Sequence, residues 1–315
     1  MDTPNIQTLD TFDLSNIPTL DVAVLGALEL FGQTTIPSIE LAYKHPLIVG
    51  SGNAEATGRI IFHDKDAVFA SESSYQEKLE NIDSIDGVVL VSASGGKHAP
   101  IIAHCASDND KRVSLITNTD NSAADQELDT MHKPHDEFVF PKNREPYTYN
   151  TSTYMGMILG KTGEDPNQIK HYIETVTAKI DWPDFEHIDK YYLIVPAKFA
   201  GIIRMLSVKF IELFGRNIAV AVETDEYVRH ATTVAKSNEL FISFGTENTT
   251  WGEPSMRLHV PLPDNAGYGA MMAIGYYTVA QIQKAHSHHF KDNIASYTAE
   301  VSEVFGSTIK PIVDK

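Results

Sequence analysis

From about residue 45 onward, short apolar runs alternate with longer stretches whose apolar residues recur at helical spacing. The runs Leu47–Gly50, Ala67–Ala70, Gly87–Ser92, Arg112–Thr117 and Glu137–Phe140 read as strands, with helical stretches between them. Strands separated by helices predict a parallel α/β sheet. A helix over about 148–160 closes this half, and Gly163-Glu164-Asp165-Pro166 reads as a linker with Pro166 at a helix start. Residues 167–180 look helical, and then the pattern restarts. Tyr191–Val195, Asn217–Val222, Leu240–Phe244 and Arg257–Val260 predict strands, while Phe199–Leu213, Gly267–Ala285 and Asn293–Phe305 predict helices. Before all of this, Thr19–Phe31 predicts a helix ended by Gly32. Residues 1–18 are polar and are expected to be mobile or loosely docked. The predicted organisation is an N-terminal helical extension (1–40) followed by two α/β domains, 41–165 and 166–315.

Several strands of the first half end in hydroxyl or turn-forming residues: Gly50-Ser51-Gly52-Asn53, Ser71-Glu72-Ser73, Ser92-Ala93-Ser94 and Thr117-Asn118-Thr119. In open α/β sheets ligands bind at the carboxyl ends of the strands. The third run is the most informative. Val88-Val89-Leu90-Val91 breaks at once into Ser92-Ala93-Ser94-Gly95-Gly96-Lys97, and an amphipathic stretch follows. Such a turn presents backbone N–H groups at a helix start, with two serine hydroxyls beside them, and its natural ligand is a phosphate group.

Composition narrows the function classes. The chain has 315 residues, 42% hydrophobic and 21% charged, which suits a soluble globular protein. No apolar run is long enough to span a membrane, and no basic-then-apolar signal opens the chain. A net charge of −17 argues against nucleic acid or an anionic membrane as partner. Cys105 is the single cysteine, so a reducing, cytoplasmic setting is expected.

The order of these motifs resembles the SIS (sugar isomerase) domain, and the whole chain resembles tandem-SIS proteins. The isomerase half of glucosamine-6-phosphate synthase and the archaeal-type phosphoglucose/phosphomannose isomerases are the nearest patterns, over roughly residues 45–286. Gly50-Ser51-Gly52-Asn53-Ala54 resembles the first Gly-rich turn, and Ala70-Ser71-Glu72 the end of the second strand. Ser92-Ala93-Ser94-Gly95 resembles the sugar-phosphate turn, and Thr117-Asn118 with Ser122 an Asn-x-x-x-Ser segment. In the second half, Lys209-Phe210-Ile211-Glu212 resembles a Lys-x-x-Glu helix motif and Arg229-His230 a Lys-His or Arg-His pair. Gly96-Lys97 replaces the usual Glu-Thr, and Ala54 stands where a serine often contacts phosphate. His230 is followed by Ala-Thr-Thr instead of Gly-Pro.

The resemblance implies two doubly wound, flavodoxin-like parallel sheets flanked by helices. It also implies a phosphosugar aldose–ketose isomerase without cofactor or metal, working through an enediol on a hexose 6-phosphate: fructose 6-phosphate paired with glucose 6-phosphate, or mannose 6-phosphate. Glu212 would be the base, His230 the ring opener supplied by a neighbouring subunit, and Lys209 a support for the carboxylate or the enediolate. A homodimer with shared active sites follows. Ser92, Ser94, Gly95, Ser122, Asn53 and Lys97 would bind phosphate, and Thr148 and Gly52 would lie near the sugar. The chemistry suits these residue types. A carboxylate in a partly dry pocket serves as base, histidine shuttles a ring-oxygen proton near neutral pH, and a cation stabilises an enediolate.

Plainer readings stand beside these. Lys209/Glu212 is the spacing of an exposed helix pair, His230 that of a surface or capping residue, and Ser92–Gly95 that of an ordinary turn. His286-Ser287-His288-His289 reads as a solvated helix end and Met131–His135 as a loop, while Met271-Met272 and Tyr276-Tyr277 read as core. Glu55 occupies the third glycine position of Gly-x-Gly-x-x-Gly, which argues against a nicotinamide cofactor. Two other functions remain open: a sugar-phosphate-binding protein without turnover, and a glucosamine-6-phosphate deaminase or synthase-type isomerase lacking a glutaminase domain.

Overall fold

The computed structural model describes residues 3–315. The chain divides into two compact units, one comprising Thr34–Lys142 and Thr153–Gly163, the other the residues up to Gln33 with Asn143–Ser152 and Glu164–Lys315. The elements run α1 (Pro4–Thr11), α2 (Leu20–Phe31), β1 (Leu47–Gly50), α3 (Asn53–Ile61), β2 (Val68–Ser71), α4 (Tyr75–Asn81), β3 (Val88–Val91), α5 (His98–Asp108) and β4 (Val113–Thr117). There follow α6 (Ala123–Thr130), β5 (His135–Val139), β6 (Glu145–Pro146), α7 (Thr151–Thr162), α8 (Pro166–Thr175), β7 (Lys190–Val195) and α9 (Ile203–Phe214). The chain ends with β8 (Ala219–Thr224), α10 (Val228–Ala231), β9 (Leu240–Phe244), β10 (Arg257–Val260), α11 (Tyr268–Ala285), α12 (His288–Lys291), α13 (Ile294–Phe305) and β11 (Ile312–Val313).

In the first unit five parallel strands lie in the order β2-β1-β3-β4-β5. This is the flavodoxin-like winding, whose switch point falls between β1 and β3. The central strands β1, β3 and β4 are buried along their whole length, whereas the edge strand β5 is half-buried throughout. That explains the sequence pattern, since a parallel strand covered on both faces needs a continuous apolar run. Leu47, Val49, Val88, Leu90, Val113 and Leu115 pack against Ile102, Ala103, Ala106 and Leu128 from the covering helices.

The second unit repeats the winding with one strand fewer. Its parallel sheet has the order β10-β9-β7-β8, so the switch point falls between β7 and β9. A short antiparallel pair, β6 with β11, ties Glu145–Pro146 to the C-terminal segment. The long helix α11 packs against α2, α8 and α9. Met271, Met272, Tyr276 and Tyr277 are buried on it, as their apolar character predicts. None of the described helices is long and apolar enough to cross a membrane.

The expectation of a loosely docked N-terminus is overturned. Residues 4–11 form a helix, and Leu9, Phe12 and Ile17 are buried. The buried Glu29 carboxylate on α2 anchors this segment by accepting the amides of Asn5 and Ile6 and the side chain of Asn5. Three apolar side chains spaced along a polar stretch suffice once α2 offers a surface to cover.

Candidate active site

Helix α9 carries Lys209 and Glu212 three residues apart, so both project from one face. The pair is not the exposed kind that its spacing alone suggests. Lys209 is fully buried, and its ammonium donates to the carbonyl oxygens of Thr148 (2.6 Å) and Tyr149 (2.7 Å) and to Oε2 of Glu212 (2.7 Å). A lysine has three N–H donors, and all three have acceptors here. The Tyr276 ring lies 5.2 Å from Nζ. The ammonium is therefore committed to holding a carboxylate and a loop in place.

That loop is strained. Thr148 has φ +75°, a left-handed conformation that a β-branched residue rarely adopts. Its Oγ1 is buried without a hydrogen-bond partner. Two features fix the loop: the two carbonyl bonds from Lys209, and the Glu145 carboxylate just before it. Glu145 accepts the amides of Thr151 (2.6 Å) and Ser152 (2.8 Å) and the Ser152 hydroxyl (2.6 Å) at the start of α7. Burial pushes the Glu145 carboxyl above its usual range, opposed by these bonds and by the charge of Lys209. Strain of this kind persists only where its surroundings over-determine it, and it concentrates at ligand sites.

Thr148 and Glu212 line a cavity of about 410 Å³, together with Ile211 and Phe214 of α9, His289 of α12 and Tyr297 of α13. Volumes of this order suit a small organic ligand. The wall is mostly apolar, with a few convergent polar groups.

His289 was not foreseen. The sequence reading treats 286–289 as a solvated helix end, but His286 is buried and its Nε2 lies 2.9 Å from the Phe185 carbonyl. That anchor turns the next helical turn inward, and His289 is half-buried in the cavity wall with its ring stacked 6.0 Å from that of His286. Burial, reinforced by the imidazoles of His288 and His286, pulls the His289 pKa below its ordinary value. Three histidines after a long helix were the only hint in the sequence. His230, the expected ring opener, is exposed on α10 and is not part of this cavity wall.

The expected phosphate turn lies in the five-stranded unit. Gly52 and Asn53 follow β1, and Ser92–Gly95 follow β3, so the two turns leave the adjacent strands that flank the switch point. Ser92 is half-buried, and Ser94, Lys97 and Gly52 are exposed. The turn is pinned from the β4 side. Ala93 O accepts the Asn118 amide and the hydroxyls of Thr117 and Thr119, while Gly95 O accepts the Ala124 amide. Gly95 has φ +57°, and a side chain there would collide with Ser122. Ser122 is 2% exposed, and its hydroxyl caps α6 by accepting the Asp125 amide. It therefore forms the floor of the turn, where the sequence reading had it among the phosphate ligands. Lys97 adopts φ +52° at the entry to α5, and its neighbour His98 lies 3.8 Å from Glu72.

The equivalent turn of the four-stranded unit is differently equipped. After β7, the Ala197 amide donates to Oδ1 of Asp225, which follows β8 (3.0 Å). A carboxylate already occupies the position that an anion would seek, in line with the absence of a Ser-x-Ser-Gly pattern there.

No family model and no curated protein matches the sequence. Solved structures do match in fold. Tagatose-6-phosphate ketose/aldose isomerase from Escherichia coli is 13% identical with a TM-score of 0.57, over 90% of this chain and 92% of that one. A glucosamine-6-phosphate deaminase from Thermotoga maritima is 15% identical with a TM-score of 0.56, over 85% and 92%. The C-terminal domain of glucosamine-fructose-6-phosphate aminotransferase from Francisella tularensis is 12% identical with a TM-score of 0.54, over 91% and 94%. The fold expected from the sequence, two parallel sheets flanked by helices, is thereby borne out.

Proposed function

We propose that the protein is a phosphosugar aldose–ketose isomerase acting on a hexose 6-phosphate, fructose 6-phosphate with glucose 6-phosphate or mannose 6-phosphate, through an enediol. The observation that carries this reading is the Glu212 carboxylate, held by a fully buried ammonium at the wall of a ligand-sized cavity. Fold likeness to proteins described as acting on sugar phosphates supports it.

In this reading Glu212 removes a proton from the carbon next to the carbonyl and returns it to the neighbouring carbon. Lys209 keeps the carboxylate at one place throughout, because a base that wanders by an ångström loses much of its effect. Its three acceptors are protein atoms, so its part is positioning, and it does not contact the enediolate. Thr148 Oγ1 offers its unused hydroxyl to a sugar oxygen. The Ser92–Gly95 turn, with Asn53 and Gly52 beside it, takes the phosphate, whose binding energy is remote from the reacting carbons. The working form is a cytoplasmic homodimer.

The test is a coupled assay of purified protein on fructose, glucose and mannose 6-phosphates. Turnover is expected for one pair, and Glu212→Gln should lower kcat by about 10²-fold or more while glucitol 6-phosphate still binds. A Glu212→Gln protein that keeps the wild-type rate removes Glu212 from the chemistry. Tight binding with no turnover by the wild type favours the sensor reading, to which the Gly96-Lys97 and Ala54 departures also point.

A further inference from the structure

We infer that His289 is the proton shuttle that opens the sugar ring, supplied to the Glu212 cavity by the same chain; this rests on the isomerase reading. The cavity wall holds Glu212 from α9, Thr148 from the strained loop and His289 from α12. Among the described residues lining it, His289 is the one histidine. Its backbone is set by the short helix that begins after His286, whose own imidazole is tied to Phe185 O, and Phe290 next to it packs on Tyr149 at 5.1 Å between ring centroids. Tyr149 in turn gives its carbonyl to Lys209. One chain of contacts thus positions the base and the histidine together.

The charged and titratable groups around His289 are His286 and His288 beside it, Glu212 from α9 and Tyr297 from α13. Burial and the two neighbouring imidazoles favour the uncharged ring. A neutral imidazole accepts a proton before it gives one, and the ring-opening step needs that order. The anomeric hydroxyl gives its proton to the imidazole as the carbonyl forms, the bond from C1 to the ring oxygen breaks, and its electron pair stays on that oxygen. The ring oxygen then takes the same proton back from the imidazole. Both oxygens are bonded to one carbon, so a single ring nitrogen serves both, and the histidine ends as it began. Glu212 then acts on the open chain. His230 is not required for this step.

The experiment has two arms. In the first, the kcat of His289→Gln on the hexose 6-phosphate pair should fall by about 10²-fold or more, while its affinity for glucitol 6-phosphate, which is already open-chain, stays within about twofold. His171→Gln, altered at an exposed histidine of α8 outside the cavity wall, should keep its rate. A His289→Gln rate within about threefold of wild type overturns the assignment. In the second arm, glucitol 6-phosphate is added to ¹⁵N-histidine-labelled wild-type protein. The His289 ring signals should move, whereas inorganic phosphate should leave them in place. Bound glucitol 6-phosphate with unmoved His289 signals overturns this inference alone. Failure of the wild type to bind or turn over any hexose phosphate overturns the isomerase reading and this inference with it.

Discussion

Gly95 lies against Ser122 so closely that no side chain fits between them. The glycine's φ of +57° and the buried serine hydroxyl are two parts of one turn. Gly95→Ala should therefore break the turn in two ways, by backbone strain of about 1–2 kcal/mol and by collision with Ser122. Gly96→Ala, one residue on, meets nothing nearer than Ser94 Oγ at 3.5 Å. Urea denaturation should show a clear loss for Gly95→Ala and little change for Gly96→Ala. Equal stability of the two variants contradicts the geometry.

Ser94 and Ser122 are separable in the same way. Ser122 caps a helix from a buried position, so Ser122→Ala should cost about 1 kcal/mol of stability. Ser94 is exposed at the turn, and its hydroxyl accepts the Gly96 amide at 3.3 Å. Ser94→Ala should leave the thermal midpoint nearly unchanged and weaken sugar-phosphate binding about tenfold, the equivalent of about 1.4 kcal/mol. Calorimetric titration with glucitol 6-phosphate would reveal an unaffected site, which would speak against phosphate binding at this turn.

Lys209→Met keeps most of the volume of a buried side chain but strands two carbonyls and a carboxylate. A loss of about 3 kcal/mol is expected, in the range found when one partner of a buried pair is removed. The variant should also lose activity beyond what its folded fraction explains, because the Glu212 carboxylate is no longer held. A Lys209→Met protein with wild-type stability would mean that the three bonds contribute nothing.

His135 opens β5, where the sequence suggested loop, and bridges to Asp125 of α6 at 2.7 Å. Burial opposes the charged imidazole, yet the bonds to the Lys133 carbonyl and the Asp125 carboxylate outweigh it, so folding raises the pKa above 6.5. The folded protein then holds this proton more tightly than the unfolded chain does. Stability from the site is full below about pH 6.5 and is lost as pH rises through the higher folded value. Denaturation midpoints measured from pH 6 to 8 should fall in the wild type by more than in His135→Gln or Asp125→Asn. Parallel curves for all three would rule the pair out as the source.

Much of the architecture was legible one residue at a time. Leu47–Gly50, Leu240–Phe244 and Arg257–Val260 end where the sequence places them, and α2, α11 and α13 begin within one residue of expectation. Leu47–Gly50 and Leu240–Phe244 are buried along their whole length and read as short near-continuous apolar runs, a pattern that is local. Val68–Ser71 and His135–Val139 shift by a residue or two because edge strands carry weaker patterns. The turn glycines were legible too, since positive φ leaves a compositional mark.

The sequence by itself determined two parallel sheets, their strand-end turns and the identities of Lys209, Glu212 and Ser92–Gly95, because periodicity and turn chemistry act over a few residues. The tertiary structure decided which polar groups were taken out of water. It buried Lys209 and gave all three of its protons to acceptors, two of them some sixty positions away. It placed Ser122 beneath the turn, drew residues 4–17 onto α2 and brought His289 to the cavity of Glu212. Burial depends on what the rest of the chain packs against a side chain, and no local spacing encodes that.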